Sequence, residues 1–480
     1  MEQPGPSDTS PPIDGPVRSG PITGGAGRAV IGAGRLDLAA RGYVEEEFFV
    51  EGSARTFSST SPLTSDGRWA VRPNEAPGGG LRYRTRILVR RPDDVAGRRS
   101  VVAVEWLNVS GGLDADPDWT YLHDELIRSG TIWVGVSAQR DGIIPGANPI
   151  GEMLALVRAD PERYASLTHP GDDTSYDLFT QVGALLRRDA TDLLGGAVPD
   201  VVVALGESQS AERLTTYANA FGRDDVFDAY FLHSRHAVAS PLRDGDLAAP
   251  DPTLIRDDLE VPVMVLSAEN DVAGGRIGYG RARQPDTERF VAWEVAGAAH
   301  VDAYGLGIGD LDDGSGDADE RLFAAMSAPP SSVYSGVIEC GAPINTGPHT
   351  YVARAAFAHL VRWARGGPPP PSMPRLRLDE TGGDLVRDEL GIAVDGVRTP
   401  QVDVPVAALS GMGQEPGGFC ELFGTTRPLS PDELRRCHPQ RDDFVRSWLD
   451  ALDRAVAAGA ILTADADRLR RVVRAGAPGD

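Results

Sequence analysis

Residues Val201–Leu205 form a short apolar run that ends in Gly206-Glu207-Ser208-Gln209-Ser210, and a helix-competent stretch, Ala211–Asn219, follows at once. This pattern predicts a buried strand, a sharp turn and a helix, with Ser208 at the apex. The backbone doubles back there, so the positions two before and two after the serine must be small. Gly206 and Ser210 meet that need. A hydroxyl raised on such a turn stands clear of the sheet and is placed to attack a carbonyl. The pentapeptide alone recurs by chance in a glycine-rich chain of this length, and a serine there also fits a plain helix cap. The flanking strand and helix carry the reading.

The same alternation runs through the rest of the chain. Strand-like runs fall at 43–57, 83–90, 101–108, 131–138, 201–205, 229–233, 261–268 and 290–295, and helical patterns at 118–129, 175–194 and 351–365 separate several of them. About eight strands, mostly parallel and covered by helices on both faces, are expected, with the first pair antiparallel. The predicted organisation is a disordered lead over 1–27 and a core over 28–367. A C-terminal extension, rich in helix, is expected over 368–480, packed on the core. Residues 141–171, 235–259 and 305–345 read as insertions, and two of them, 141–171 and 305–345, as walls of a pocket.

Composition narrows the chemistry. The formal net charge is −23, with no basic stripe, which argues against a nucleic-acid partner. All 47 cationic side chains are arginine, so a Schiff-base lysine, a phosphate-loop lysine and a Ser-Lys dyad are excluded. No apolar run is long enough to span a membrane, and no secretory signal is seen, so a cytoplasmic location is the default. No metal-ligand spacing stands out, and neither a metal nor a cofactor is expected. The three cysteines, Cys340, Cys420 and Cys437, are too few for a disulfide framework. Cys340 could pair with Cys420 or Cys437, but the reading favours buried free thiols.

A serine nucleophile needs a base, an orienting acid and donors for the oxyanion. In doubly wound hydrolases these follow in the order serine, acid, histidine. The strand Val261–Ser267 leads to Glu269-Asn270-Asp271, which offers Asp271 as the acid and Glu269 as its alternative. The strand Phe290–Val295 leads through small residues to His300, the expected base; the other seven histidines fit that order less well. For the oxyanion, the Gln209 amide at the helix start is one donor. The second is expected after the run 101–107, at Val109, with Ser110 the alternative. Ser110 is also the second choice of nucleophile. Trp106, Asn108, Trp119 and His233 are candidates for pocket-lining residues, although core packing explains the two tryptophans equally well.

Several segments then resemble the α/β-hydrolase superfamily, and within it a group known only as α/β-hydrolase-domain serine hydrolases. They are Val104–Gly112, Gly135–Gln139, Gly206–Ser210, Phe231–Arg235, Cys340–Asn345, Phe423–Thr426 and Ala457–Asp465. The resemblance runs from about Gly42 to the C-terminus. It implies an α/β-hydrolase fold with a C-terminal extension and esterase-type chemistry on a small-molecule ester, but no particular substrate. Acyl transfer, thioester cleavage and amide cleavage use the same residues, and a non-catalytic binding protein of this fold is the remaining alternative.

Overall fold

In a computed structural model of the chain, the described residues are 15–32, 36–75, 79–146, 151–188, 190–222, 225–243, 245, 248–274 and 278–476. Their centre is a nine-stranded sheet. Its strands, in chain order, are β1 (Val17–Ser19), β2 (Tyr43–Ala54), β3 (Leu81–Pro92), β4 (Arg99–Trp106), β5 (Ile132–Val136), β6 (Val198–Glu207), β7 (Ala229–His233), β8 (Val263–Ser267) and β9 (Phe290–Glu294). The spatial order is β1-β2-β3-β5-β4-β6-β7-β8-β9. The strands from β4 onward pair in parallel, while β1, β2 and β3 add an antiparallel edge.

The sequence explains this division. Strands β5, β7, β8 and β9 are buried at every residue, as continuous apolar runs require when both faces are covered. Neighbouring residues of a strand face opposite ways. On β4, Trp106 packs on Tyr176 and Phe179 of the helix Ser175–Arg188, whereas Glu105 accepts hydrogen bonds from Asp118 N and Trp119 N of Pro117–Ser129. Helices therefore cover both faces. The principal ones are α1 (Pro117–Ser129), α2 (Ser175–Arg188), α3 (Gln209–Phe221), α4 (Glu269–Ala273), α5 (Asp317–Ala325), α6 (His349–Ala364), α7 (Arg441–Ala457) and α8 (Thr463–Gly476).

One continuous apolar core reaches from Tyr43 to Val473. A buried ion network reinforces the attachment of the C-terminal helices. Arg354 of α6 meets Asp312 at 2.6 Å and Asp465 of α8 at 3.3 Å, and Arg468 meets Asp124 of α1 and Asp319 of α5, each at 2.8 Å.

Several boundaries differ from the sequence reading. The expected disordered lead contains β1, whose Val17 pairs with Glu51; residues 1–14 lie outside the described part. The run 43–57 stops at Ala54, and Phe57–Ser59 pairs with Val71–Pro73 instead. The expected helix 175–194 divides into α2 and a short turn of helix, Ala190–Leu193. The C-terminal section, expected to be rich in helix, also holds isolated bridges, such as Leu376 with Asp395. Cys340 and Cys420 are joined in a disulfide, contrary to the expectation of free thiols, and Cys437 is free and exposed rather than buried. Their proximity arises because two loops, 80 residues apart in sequence, fold against each other.

Candidate active site

Ser208 sits between β6 and α3 with φ +58° and ψ −119°, a conformation that L-residues adopt only at a cost of about 1–3 kcal/mol. The turn is tight enough that a Cβ on Gly206 would lie 2.9 Å from the Ser210 carbonyl, which explains the small residues on either side. The Ser208 amide donates to the His233 carbonyl of β7 at 2.9 Å and so ties the turn to the sheet.

Two further loops reach the same point from the carboxyl ends of β8 and β9, where open α/β sheets place their functional groups. His300 Nε2 lies 2.9 Å from Ser208 Oγ, and His300 Nδ1 lies 2.5 Å from Asp271 Oδ1. Asp271 Oδ2 also accepts from the Ala268 amide at 2.6 Å. Burial alone would raise the Asp271 carboxyl, but His300 and the Ala268 N–H prevail and hold it below the usual carboxylate range. The His300 backbone is fixed by Asn270, whose Oδ1 accepts from His300 N at 2.8 Å.

Glu269, the alternative acid, takes a different place. Its buried carboxylate accepts from Gly297 N at 2.7 Å and Gly411 N at 3.0 Å, and pairs with Arg387 at 3.1 Å. It ties the C-terminal section to the loop that carries His300.

The cavity over Ser208 has a volume of about 470 Å³. Asn108, Ser110, Glu207, Ser208 and His300 line it, and so do apolar residues of three distant segments. The insertion 141–171 contributes Leu154, and 305–345 contributes Leu306, Tyr334, Val337 and Ile338. Phe419, Leu422 and Phe423 come from the C-terminal section, which the sequence reading did not place at the site.

Three candidate lining residues are not there. Trp106 is fully buried and donates to Gln139 Oε1 at 3.0 Å. Trp119 is packed against Trp133 under the Arg90 guanidinium. His233 is also fully buried: Nδ1 is 2.8 Å from Asp118 Oδ1 and Nε2 is 2.7 Å from His349 Nε2. Asn108 does line the cavity; its side chain donates to the Glu207 carbonyl at 3.0 Å and accepts from Ser110 N at 2.8 Å. The Ser110 amide is thereby engaged. Val109 is buried in the same loop, and Gln209 opens α3, where first-turn amides lack helical acceptors.

The family described as an alpha/beta hydrolase domain matches residues 18–471. The chain belongs to this family. No curated protein matches it. Among solved structures, a fungal esterase from Rhizomucor miehei is 13% identical with TM-score 0.28, covering 51% of this chain and 76% of its own. An α/β serine hydrolase without lid from Xanthomonas campestris is 12% identical with TM-score 0.26, over 44% and 78%. A thermostable esterase from Pseudomonas putida is 12% identical with TM-score 0.25, over 49% and 66%.

The sequence alone does not single out two buried acidic groups, one in the site of this α/β hydrolase and one just behind it. Glu207 is buried beside the serine, with Oε1 3.3 Å from His300 Nε2; burial pushes its carboxyl up to about 7. Asp302 is raised to about 7 by burial and exchanges hydrogen bonds with the Tyr121 hydroxyl, which donates to Oδ1 at 3.1 Å and accepts from Asp302 N at 3.2 Å. A carboxyl next to the apex serine is visible in the sequence, but its closeness to His300 depends on two loops meeting. Among the described residues, no group of three or more His, Cys, Asp or Glu side chains is arranged to hold a metal, and no helix is long and apolar enough to cross a membrane.

Proposed function

We propose that this α/β hydrolase is a serine hydrolase that cleaves carboxylic esters through an acyl-enzyme. One observation carries the reading: the Ser208 hydroxyl, at the floor of a cavity, is 2.9 Å from His300 Nε2, whose other nitrogen is 2.5 Å from Asp271. His300 takes the hydroxyl proton as Ser208 Oγ bonds to the ester carbonyl carbon. Asp271 fixes the tautomer in which Nε2 is unprotonated and accepts, and it stabilises the imidazolium that forms. His300 then protonates the departing alcohol, and a water activated by the same nitrogen releases the acid.

The negative charge on the former carbonyl oxygen falls to the amides of Gln209 and Val109. The Ser110 amide already serves Asn108, which favours Val109 in that loop. Each donor is expected to contribute about 3 kcal/mol to the barrier reduction. The test is turnover of p-nitrophenyl acetate by the wild type and by Ser208→Ala. The wild type should turn over and the variant should lose at least ~10³-fold in kcat. Equal turnover by the two proteins would end this reading.

A further inference from the structure

The chain carries 47 arginines, yet among the described residues none lines the cavity. Among the described residues its charged lining, besides His300, consists of Asp116 and Glu207. Arg90, behind the wall, is already paired with Asp116 at 2.6 Å and Glu45 at 2.8 Å. The rest of the surface is largely aliphatic and aromatic, with Leu113, Leu306, Ile338, Leu422 and Phe423 among its members. The apolar lining continues outward to the solvent, where Val337 is 82% exposed, Tyr334 56% and Phe419 50%. Isolated exposed apolar side chains need no explanation, but three around the opening of one apolar cavity form a continuous path.

Two segments far apart in sequence build that path, and they are joined covalently. Cys340 stands two residues after Ile338, Cys420 directly follows Phe419, and the two sulfurs are bonded. The same wall is hydrogen-bonded to the loop that carries His300. Val301 N donates to the Leu422 carbonyl at 3.1 Å, and Asn270, which holds the His300 amide, donates to that carbonyl at 3.1 Å.

We infer that the substrates are neutral esters with an apolar chain of several carbons, that esters carrying a carboxylate are rejected, and that the disulfide-linked wall sets the chain-length preference. The inference rests on Ser208 as the nucleophile. An apolar chain that runs along Leu306, Ile338, Leu422 and Phe423 leaves water, and about 470 Å³ is ample for a chain of that size. A carboxylate there would lose its hydration, meet no arginine among the described lining residues, and stand beside two acidic side chains, Glu207 and the Arg90-paired Asp116.

The experiment compares kcat/KM for p-nitrophenyl acetate, butyrate, hexanoate and octanoate with that for the hemisuccinate, which matches butyrate in carbon count. In the wild type, kcat/KM should rise by about two- to fourfold per methylene. The hemisuccinate should fall ~100-fold below butyrate. A flat or falling series, or a hemisuccinate turned over as fast as butyrate, overturns the inference. In Cys340→Ser/Cys420→Ser the acetate rate should stay within about threefold while the rise with chain length flattens; a full rise in that variant removes the wall from the account. Leu422→Arg, which places a cation on the wall without touching the disulfide, should narrow the gap between hemisuccinate and butyrate, and an unchanged gap counts against the charge argument. Labelling of the wild type by a fluorophosphonate separates the two levels. A labelled Ser208 with a flat series overturns only the substrate class, whereas an unlabelled Ser208 overturns the nucleophile beneath it.

Discussion

Two buried acid–histidine chains lie side by side in this molecule, and they end differently. In one, Asp271 holds His300, and the other nitrogen of His300 meets the hydroxyl of Ser208 at a cavity. In the other, Asp118 holds His233, whose second nitrogen meets His349, and His349 Nδ1 reaches the Ala299 carbonyl at 2.9 Å. A carbonyl only accepts, so His349 Nδ1 carries the proton and its Nε2 accepts from His233. Burial, aided by His233, drives His349 down to about 3, and it stays neutral. The second chain is thus closed at both ends, with its members fully buried. An acid–histidine pair becomes chemically useful only where its last nitrogen faces a nucleophile and a space for substrate.

The contrast can be broken most forcefully at the two aspartates. Asp271→Asn is expected to lower kcat by ~10³- to 10⁴-fold, because the amide favours the wrong imidazole tautomer, whereas Asp118→Asn should leave kcat within about threefold. Steady-state turnover of a short ester by both variants decides this, and a comparable loss in Asp118→Asn would erase the distinction. The next effect is on stability. His233→Ala leaves a buried carboxylate and a buried imidazole without their partner and should cost about 3–5 kcal/mol in denaturant unfolding. Phosphonate labelling per folded molecule should be preserved.

Glu207 tests the electrostatics between the two chains. Its folded value of about 7 stands above the ordinary 4.5, so the folded protein keeps this proton to higher pH than the unfolded chain does. The contribution to stability is full below about pH 4.5 and is lost as pH rises to about 7, a change of about 3 kcal/mol. Glu207→Gln removes that dependence. Its unfolding free energy relative to the wild type should therefore climb across this window, and a constant difference from pH 4.5 to 8 would refute the assignment. The smallest effect belongs to Glu269→Gln, which weakens the contacts to Arg387 and to the Gly297 and Gly411 amides. It should cost about 1–3 kcal/mol of stability with kcat nearly unchanged.

What was legible in the sequence is what local pattern determines. The apolar run, the small residues and the helix around Ser208 are contiguous, and Asp271 and His300 each follow a recognisable strand. The remainder depends on chain segments meeting. Strand β1 has three residues in a proline- and glycine-rich stretch and exists because the edge of β2 offers it hydrogen bonds. His233 stands one strand from the site and reads as a lining residue, yet its partner His349 lies 116 positions away and draws it into the core. The disulfide and the wall built by Phe419, Leu422 and Phe423 have the same origin in long-range contact. Trp106 is an ordinary strand residue whose burial is settled by α2 packing over it.

The claim that Ser208 is the nucleophile served by His300 is tested most directly by reacting the protein with a fluorophosphonate and locating the adduct by peptide mass mapping. One phosphonyl group is expected on Ser208 in the wild type and none in Ser208→Ala. An adduct on Ser110 or any other residue, or labelling that persists in Ser208→Ala, would contradict it.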